Sequence, residues 1–257
     1  MNFAPGQDLS LQFSSREELR ERAFEGIWKN ELHAVFSDVA PYYDTASKVA
    51  SLGLYGRWLD DFASMIELHP GQEVLDLCAG TNAIGLGLLK REPGIRVSAM
   101  DRSREMQAVG QVIARSRGFE IESTIGDAHK LPFPDDSFDI VTLGWASRHL
   151  RIMEVFREVR RVLKPGGTFY HCDMLRPQSR LVELLYCTYL KACVSGTALL
   201  FRSGPEAWSC RDYFVQAIQR FYSAAELSEL LAHVGFSEVG CRQATGGVVA
   251  FHKARKA

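Results

Sequence analysis

A chain of 257 residues, 46% hydrophobic and 24% charged, suits one globular α/β domain with additions, and a formal net charge of −1 gives no long-range field to draw in nucleic acid. No apolar run reaches bilayer length, since even residues 181–201 are interrupted by Glu183 and Lys191, and the polar start at 1–14, with Pro5 and Gly6, lacks a signal-peptide core. Six cysteines (Cys78, Cys172, Cys187, Cys193, Cys210 and Cys241) without C-x-x-C spacing read as buried free thiols of a reducing cytoplasm, with neither disulfides nor zinc.

In chain order, residues 15–31 place Leu19, Ala23, Phe24, Ile27 and Trp28 at helical spacing behind a Ser14-Ser15 cap. Residues 47–66 read as a second helix that stops before His69-Pro70-Gly71. Strands are then expected at 73–78, 95–100, 120–124, 138–144 and 167–173, alternating with helices at 82–91, 103–117 and 151–163. Near-continuous apolar strands alternating with helices imply a parallel sheet covered on both faces, a doubly wound Rossmann-like α/β fold. Lys164-Pro165-Gly166-Gly167 stops one helix and turns directly into the next strand. Residues 178–219 break the alternation with mostly helical, partly apolar sequence. A helix at 223–234 and strands at 236–241 and 246–252, the last begun by Gly246-Gly247, close the chain. Without repeats or a long linker this is one domain: a helical cap at 1–66, a core at 67–177, a helical lid at 178–219 and a closing helix and strand pair at 220–257. Both helical parts are expected over the ligand edge of the sheet.

The most informative stretch is Glu73-Val74-Leu75-Asp76-Leu77-Cys78-Ala79-Gly80-Thr81-Asn82, with Met100-Asp101 about twenty residues on. A buried strand breaks into a small-residue turn that admits a ligand to backbone N–H groups, and a second strand ends in an acid able to accept both ribose hydroxyls. The turn has one glycine and lacks G-x-G-x-x-G, so no pyrophosphate needs a cradle. An acid at Asp76 is then tolerable beside the ligand, which favours S-adenosylmethionine over a dinucleotide. The candidate contacts are Asp76, Ala79, Gly80, Thr81, Asn82, Asp101, Arg102 and Met106, with Asp127 and Ala128 after the third strand, where a carboxylate can accept from an adenine amino group. Gly80 suits close approach and Asn82 tolerates a left-handed backbone. Each has a plainer reading: an ordinary turn, a cap for the helix near Ser103, a core methionine, a solvated carboxylate. Their order along the chain, each after a strand, is what binds them into one site.

Arg148-His149 follows the fourth strand on the same edge. His149 suits proton transfer near neutral pH, and Arg148 suits holding an oxyanion or a water; a solvated helix start is the alternative for both. Asp173, ending the fifth strand, faces that edge too. The remaining histidines show no metal-ligand spacing, so no metal is expected.

Val35-Phe36-Ser37-Asp38-Val39-Ala40-Pro41-Tyr42-Tyr43-Asp44, then Ser51-Leu52-Gly53-Leu54 and Arg57-Trp58, resembles the N-terminal signature of ubiquinone/menaquinone biosynthesis methyltransferases, which are class I S-adenosylmethionine-dependent C-methyltransferases. The resemblance continues through Val74-Leu75-Asp76-Leu77, Leu131-Pro132-Phe133-Pro134-Asp135 and Arg161-Val162-Leu163-Lys164-Pro165-Gly166-Gly167, and ends at Thr245-Gly246-Gly247-Val248-Val249-Ala250-Phe251-His252. It spans residues 34–253. It implies a seven-stranded sheet with the last strand antiparallel and the cofactor over the carboxyl ends of the first strands. It also implies Tyr43 and Asp44 near the cofactor, Gly80 and Thr81 in its loop, Asp101 on the ribose, Asp127 on the adenine, and Arg148 activating a quinol through a water. Departures from the family pattern are Asn82 for a glycine, His149 and Ser47 for asparagines, and Ala217 for a serine.

The expected reaction is methylation of a ring carbon in a lipophilic, quinol-like acceptor, with the phenolic proton removed by Arg148 plus water or by His149. O- or N-methylation of another small molecule is the alternative, and a non-catalytic S-adenosylmethionine-binding scaffold is the third reading. Leu181, Leu184, Leu185, Tyr189 and Leu190, with Leu199-Leu200-Phe201, are expected to form an acceptor entrance touching the membrane surface; core closure or a homodimer interface is the alternative.

Overall fold

The computed structural model describes residues 9–200 and 211–257. Seven strands form one sheet: β1 (Glu73–Leu77), β2 (Arg96–Asp101), β3 (Glu122–Ile125), β4 (Phe138–Gly144), β5 (Leu163–Met174), β6 (Phe236–Ala244) and β7 (Val249–Lys256). Their order is β3-β2-β1-β4-β5-β7-β6, and β7 runs antiparallel to both β5 and β6. The doubly wound sheet with its antiparallel last strand is therefore as expected. The order reverses between β1 and β4, which opens a crevice at their carboxyl ends.

Strand alternation decides which helices each residue meets. Leu75, Leu77, Val141, Leu143 and Phe169 pack against α7 (Ile152–Val162) and α10 (Ala224–Val234). Val74, Ile140, Tyr170 and Cys172 pack against α4 (Leu54–Ser64), α5 (Ala83–Arg91) and α6 (Arg104–Ser116). The central strands β1 and β4 are buried on both faces, which is why their sequences are nearly continuously apolar, whereas the edge strands β3 and β6 are largely exposed.

Several boundaries differ from expectation. The first helix, α1, spans Leu9–Gly26 and runs straight through Ser14-Ser15. Its buried residues are Phe13, Arg20 and Phe24, while Leu19 is exposed. Docking of Phe13 against Tyr222 and His233 extends the helix by a turn. A buried arginine in the stripe hid the true face from an apolar-periodicity argument. The chain continues as a π-helical turn, Ile27–Glu31, then α2 (Leu32–Val39). The helix expected at 47–66 is two, α3 (Tyr43–Ala50) and α4, because Leu52 and Gly53 take left-handed backbone at φ 51° and 82°. Gly246-Gly247 lies in a 3-10 turn, and β7 begins only at Val249.

Residues 178–219 contribute α8 (Arg180–Leu200) and α9 (Arg211–Gln219). The core-closure alternative for α8 is corrected: Leu181, Leu184 and Leu185 are 62–66% exposed, and Leu199 and Leu200 are exposed too. Tyr189 donates to Ala50 O at 2.6 Å, tying α8 to α3, and Phe201 lies outside the described residues. Of the cysteines, Cys172 and Cys187 are buried and Cys241 is exposed, against expectation; Cys210 lies outside the described residues. No helix among the described residues is long and apolar enough to cross a membrane.

His171 of β5 and His252 of β7 face each other across the antiparallel pair, ring centroids 5.5 Å apart. Burial holds His171 well below its usual range and pushes His252 down to about 4. A histidine depressed in the folded state contributes stability that is complete above about 6.5 and is lost as pH falls toward the folded value. Acidification from pH 7 to 5 is expected to cost about 2 kcal/mol through His252 alone, with His171 adding in the same direction. Asp76, raised by burial to about 6, and Asp101, also raised, act in the opposite sense, two carboxyls against three depressed histidines once His149 is included. Urea midpoints at the two pH values test this, and His252→Gln should flatten the dependence. A midpoint that rises on acidification would contradict it.

Candidate functional site

A cavity of about 420 Å³ opens at the switch point, floored by the carboxyl ends of β1, β2 and β4. It is polar at the β2 side and aromatic beneath the N-terminal helices. Of the residues singled out in sequence, Tyr43, Ala79, Gly80, Thr81, Asp101, Arg102, Met106, Asp127, Ala128 and His149 line it together.

The turn after β1 is built from left-handed residues, with φ of 54° at Cys78, 53° at Gly80 and 63° at Asn82. Asn82 therefore takes the backbone expected of it. At Gly80 a Cβ would sit 3.1 Å from Met106 Cε, so the bare backbone is what keeps this wall open. Thr81 Oγ1 donates to Asp44 Oδ1 at 2.9 Å, which fastens the turn to α3.

Asp101 accepts from Gly80 N and from Ser103 N, each at 2.8 Å, one on each oxygen. A carboxylate has about four acceptor positions, so each oxygen keeps one for a ligand. Burial raises the Asp101 pKa, and the N–H groups of Ser103 and Gly80 work against that rise. The capping role weighed for this position belongs to Ser103, whose side chain accepts from Met106 N at 3.1 Å. Asp127 is more exposed. Burial pushes its pKa up, but hydrogen bonds from the His129 backbone and ring outweigh this and hold it lowered.

Three expected site residues lie outside the cavity wall. Asp76 alternates with Val74 onto the α5 face, where it accepts from Thr142 Oγ1 at 2.8 Å and Gly85 N at 3.0 Å. It ties β1 to β4 and to the start of α5, and it is fully buried behind the cavity wall. Asn82 is fully buried, its Oδ1 accepting from Gln107 Nε2 at 2.9 Å. Arg148 is pulled away from the cavity: Nη1 donates to Asp173 Oδ1 and, at 2.8 Å, to Trp145 O. Burial is the largest single influence and opposes its charge, but Asp173 together with Tyr43, Tyr186 and Tyr213 outweighs it and holds the pKa raised.

Asp173 is the hub of this turn. It also accepts from Ser147 Oγ, from Arg148 N at 3.2 Å and from Met174 N at 2.7 Å. Arg20 closes the turn from α1, donating to Arg148 O at 3.0 Å and Leu150 O at 3.1 Å.

His149 does face the cavity. Its Nδ1 lies 2.6 Å from Tyr213 Oη, which accepts from Trp28 Nε1 at 2.9 Å. The edges of Phe36 and Phe214 pack on the imidazole. Burial, then the charges of Arg148 and Arg20, hold its pKa well below the usual range, so the ring is neutral near pH 7.

The residues missed in sequence are Trp28, His33, Tyr55 and Trp145, all in the wall, and Tyr213 behind His149. Trp145 directly follows the expected end of the fourth strand, which was the available signal. No described residue of 178–219 lines the cavity, so the entrance expected at Leu181, Leu184 and Leu185 is corrected: that face points to solvent.

The ubiE/COQ5 methyltransferase family model matches residues 25–256. A demethylmenaquinone methyltransferase of Streptomyces avermitilis is 34% identical over 229 residues, 89% of this chain and 95% of the relative. One of Mycobacterium tuberculosis is 34% identical over 88% of this chain and 92% of its own. Among solved structures, an S-adenosylmethionine-dependent methyltransferase from Aquifex aeolicus aligns with TM-score 0.57 at 19% identity, covering 82% of this chain and 98% of that one. Haemonchus contortus phosphoethanolamine N-methyltransferase 2, in complex with S-adenosyl-L-methionine, aligns with TM-score 0.60 at 16% identity, over 79% of this chain and 53% of that one. At such identities the structural matches speak to the fold alone.

Proposed function

The chain belongs to the ubiE/COQ5 methyltransferase family and is an S-adenosylmethionine-dependent methyltransferase, and from that premise we propose that it methylates a ring carbon of a reduced, quinol-like acceptor. The observation that carries this reading is one continuous cavity joining the Asp101–Gly80 end to an aromatic wall that includes Tyr43, Tyr55 and Trp145 and reaches His149. A nucleoside fits the first end and a planar ring the second.

In this reading Asp101 accepts the ribose hydroxyls, Met106 packs on the base, Asp127 accepts from the adenine amino group, and Gly80 leaves room beside the turn. S-adenosylmethionine supplies an electrophilic methyl group on a sulfonium. The protein's work is then alignment and proton handling in a desolvated space. The acceptor hydroxyl donates to His149 Nε2 in the tautomer whose Nδ1–H points at Tyr213 Oη. Arg148 is committed to Asp173 and takes no part as a base. Because the charges of Arg148 and Arg20 disfavour imidazolium, the proton moves to His149 as the ring carbon attacks, not before. The proton on the attacked carbon then leaves to solvent, which restores aromaticity, and His149 returns its proton to the ring oxygen.

Incubating the purified protein with S-adenosylmethionine and reduced naphthoquinones tests the assignment, with product regiochemistry read by NMR. Ring-carbon methylation is expected. Methylation at oxygen or nitrogen would move the protein to another acceptor class, and no S-adenosylhomocysteine with any ring would end the reading.

The exposed leucines of α8, flanked by Arg180 and Lys191, support a peripheral membrane contact suited to a lipophilic acceptor. Leu184→Ser is expected to change stability by less than about 0.5 kcal/mol, as at other exposed positions. It should also weaken flotation with vesicles containing anionic lipid. Unchanged flotation with loss of a dimer in size-exclusion chromatography would give this face to a second copy instead.

A further inference from the structure

Among the described residues of the cavity wall, two side chains more than nine-tenths buried carry a polar atom with no hydrogen-bond partner: Trp145 at Nε1 and His149 at Nε2. Buried polar atoms in native proteins are paired in the great majority of cases, so an unpaired one on a residue that lines a ligand cavity is a candidate to pair with the ligand. Both come from the five-residue segment after β4 that Asp173 organises, so their relative position is fixed by one turn. Each is also held from behind. Trp145 sits at φ 63°, a strained backbone for an aromatic residue, with its indole against Tyr55 and Trp58 at ring-centroid distances of 5.7 and 5.8 Å. His149 is fixed through Nδ1 by Tyr213, itself bonded to Trp28.

We propose that Trp145 Nε1 and His149 Nε2 form a two-point clamp that selects a planar acceptor bearing two oxygen functions over one bearing a single hydroxyl. This rests on the quinol-like reading of the acceptor and sharpens it. An indole N–H can only donate, so Trp145 demands a lone pair, such as that of a phenolic or carbonyl oxygen. His149 Nε2 serves the hydroxyl whose proton is lost. A ring with one hydroxyl satisfies only one of these atoms and leaves the other buried and unpaired. Sites built to hydrogen-bond a substrate group discriminate strongly against analogues that lack it for this reason. Tyr213 is a positioning residue here, acting through His149.

The test uses the full chain loaded with S-adenosylhomocysteine, under anaerobic conditions, with 1,4-dihydroxynaphthalene and 1-naphthol as probes and calorimetry as the readout. Wild type is expected to bind the diol at least tenfold more tightly than 1-naphthol. Trp145→Phe keeps an aromatic ring beside Tyr55 and Trp58 and removes the N–H, and should bring that ratio close to one while S-adenosylhomocysteine affinity is unchanged. Tyr213→Phe, a second variant that leaves the indole intact, should lower diol affinity and shift kcat more than KM in turnover assays. A tenfold preference retained in Trp145→Phe would overturn the clamp, as would wild type that binds both probes equally or neither. A preference lost in Trp145→Phe by a wild type that binds the diol but methylates no ring would leave the clamp standing and overturn the methylation reading alone.

Discussion

Asp101→Ala should lower the affinity for S-adenosylmethionine by an order of magnitude or more. The carboxylate is positioned before any ligand arrives, since Gly80 N and Ser103 N each hold one oxygen at 2.8 Å. What remains for the ligand is one acceptor position on each oxygen, matching two vicinal hydroxyls. Hydrogen bonds to charged groups contribute roughly 1.5–3 kcal/mol each, and every 1.4 kcal/mol is about tenfold in affinity. Removing the side chain also frees the two backbone donors that shape the turn, so Gly80 would lose its anchor together with the ribose. Asp127→Ala should cost less, because that side chain is 62% exposed and already engaged with His129. Calorimetric titration of both variants, with folding checked by circular dichroism, measures the difference. Unchanged affinity in both would remove the assignment of this cavity end to the cofactor.

How far the site was legible depended on whether the deciding interaction is local. The turn from Ala79 to Asn82, Asp101 and Asp127 could be placed because each follows a strand, and a strand's end fixes where the next residues face. Asp76 lies off the cavity wall, as period-2 alternation dictates: it shares the face of Val74, which packs in the α4–α6 core. Arg148 lies off the cavity wall for a different reason. Its charge is claimed by Asp173, 25 residues later, and two residues flagged separately gave no sign that they answer each other.

The cap was the least legible part. Phe13, Arg20 and Phe24 form the buried stripe of α1, and an apolar-pattern argument cannot select an arginine as buried. Arg20 is inside because its guanidinium finds the carbonyls of Arg148 and Leu150, Glu17, and the rings of Phe221 and Trp28. The π-helical turn at Ile27–Glu31, which sets Trp28 and Lys29 into the cavity wall, has no sequence signature of its own. On α8 the leucines do sit on a helix, but spacing alone does not say whether an apolar stripe meets a core or water.

Asp173→Ala should be among the most damaging single changes to stability, at about 3–5 kcal/mol, the cost of stranding one member of a buried ion pair. Asp173 is fully buried, and Arg148 is nearly so, with its side chain 11% exposed. Without the carboxylate, Arg148 keeps only the Trp145 carbonyl, Ser147 Oγ loses its acceptor, and His171 Nε2 loses the fixed hydroxyl it meets at 2.8 Å. Domain stabilities are about 5–15 kcal/mol, so the loss is a large share of the total. It should appear as a lower urea midpoint with an unchanged slope. Asp173→Asn retains an acceptor for Ser147 but not the charge, and should fall between wild type and alanine. The double change Arg148→Met with Asp173→Leu should cost less than Asp173→Ala alone, because no unpaired charge is left behind. Activity should not follow stability in that double variant. The turn would still fold, but the backbone N–H of Arg148 and the Ser147 hydroxyl that fix Trp145 and His149 would have lost their common acceptor, so kcat should stay low even where the urea midpoint recovers. A double variant with wild-type kcat would show that the hub serves folding alone.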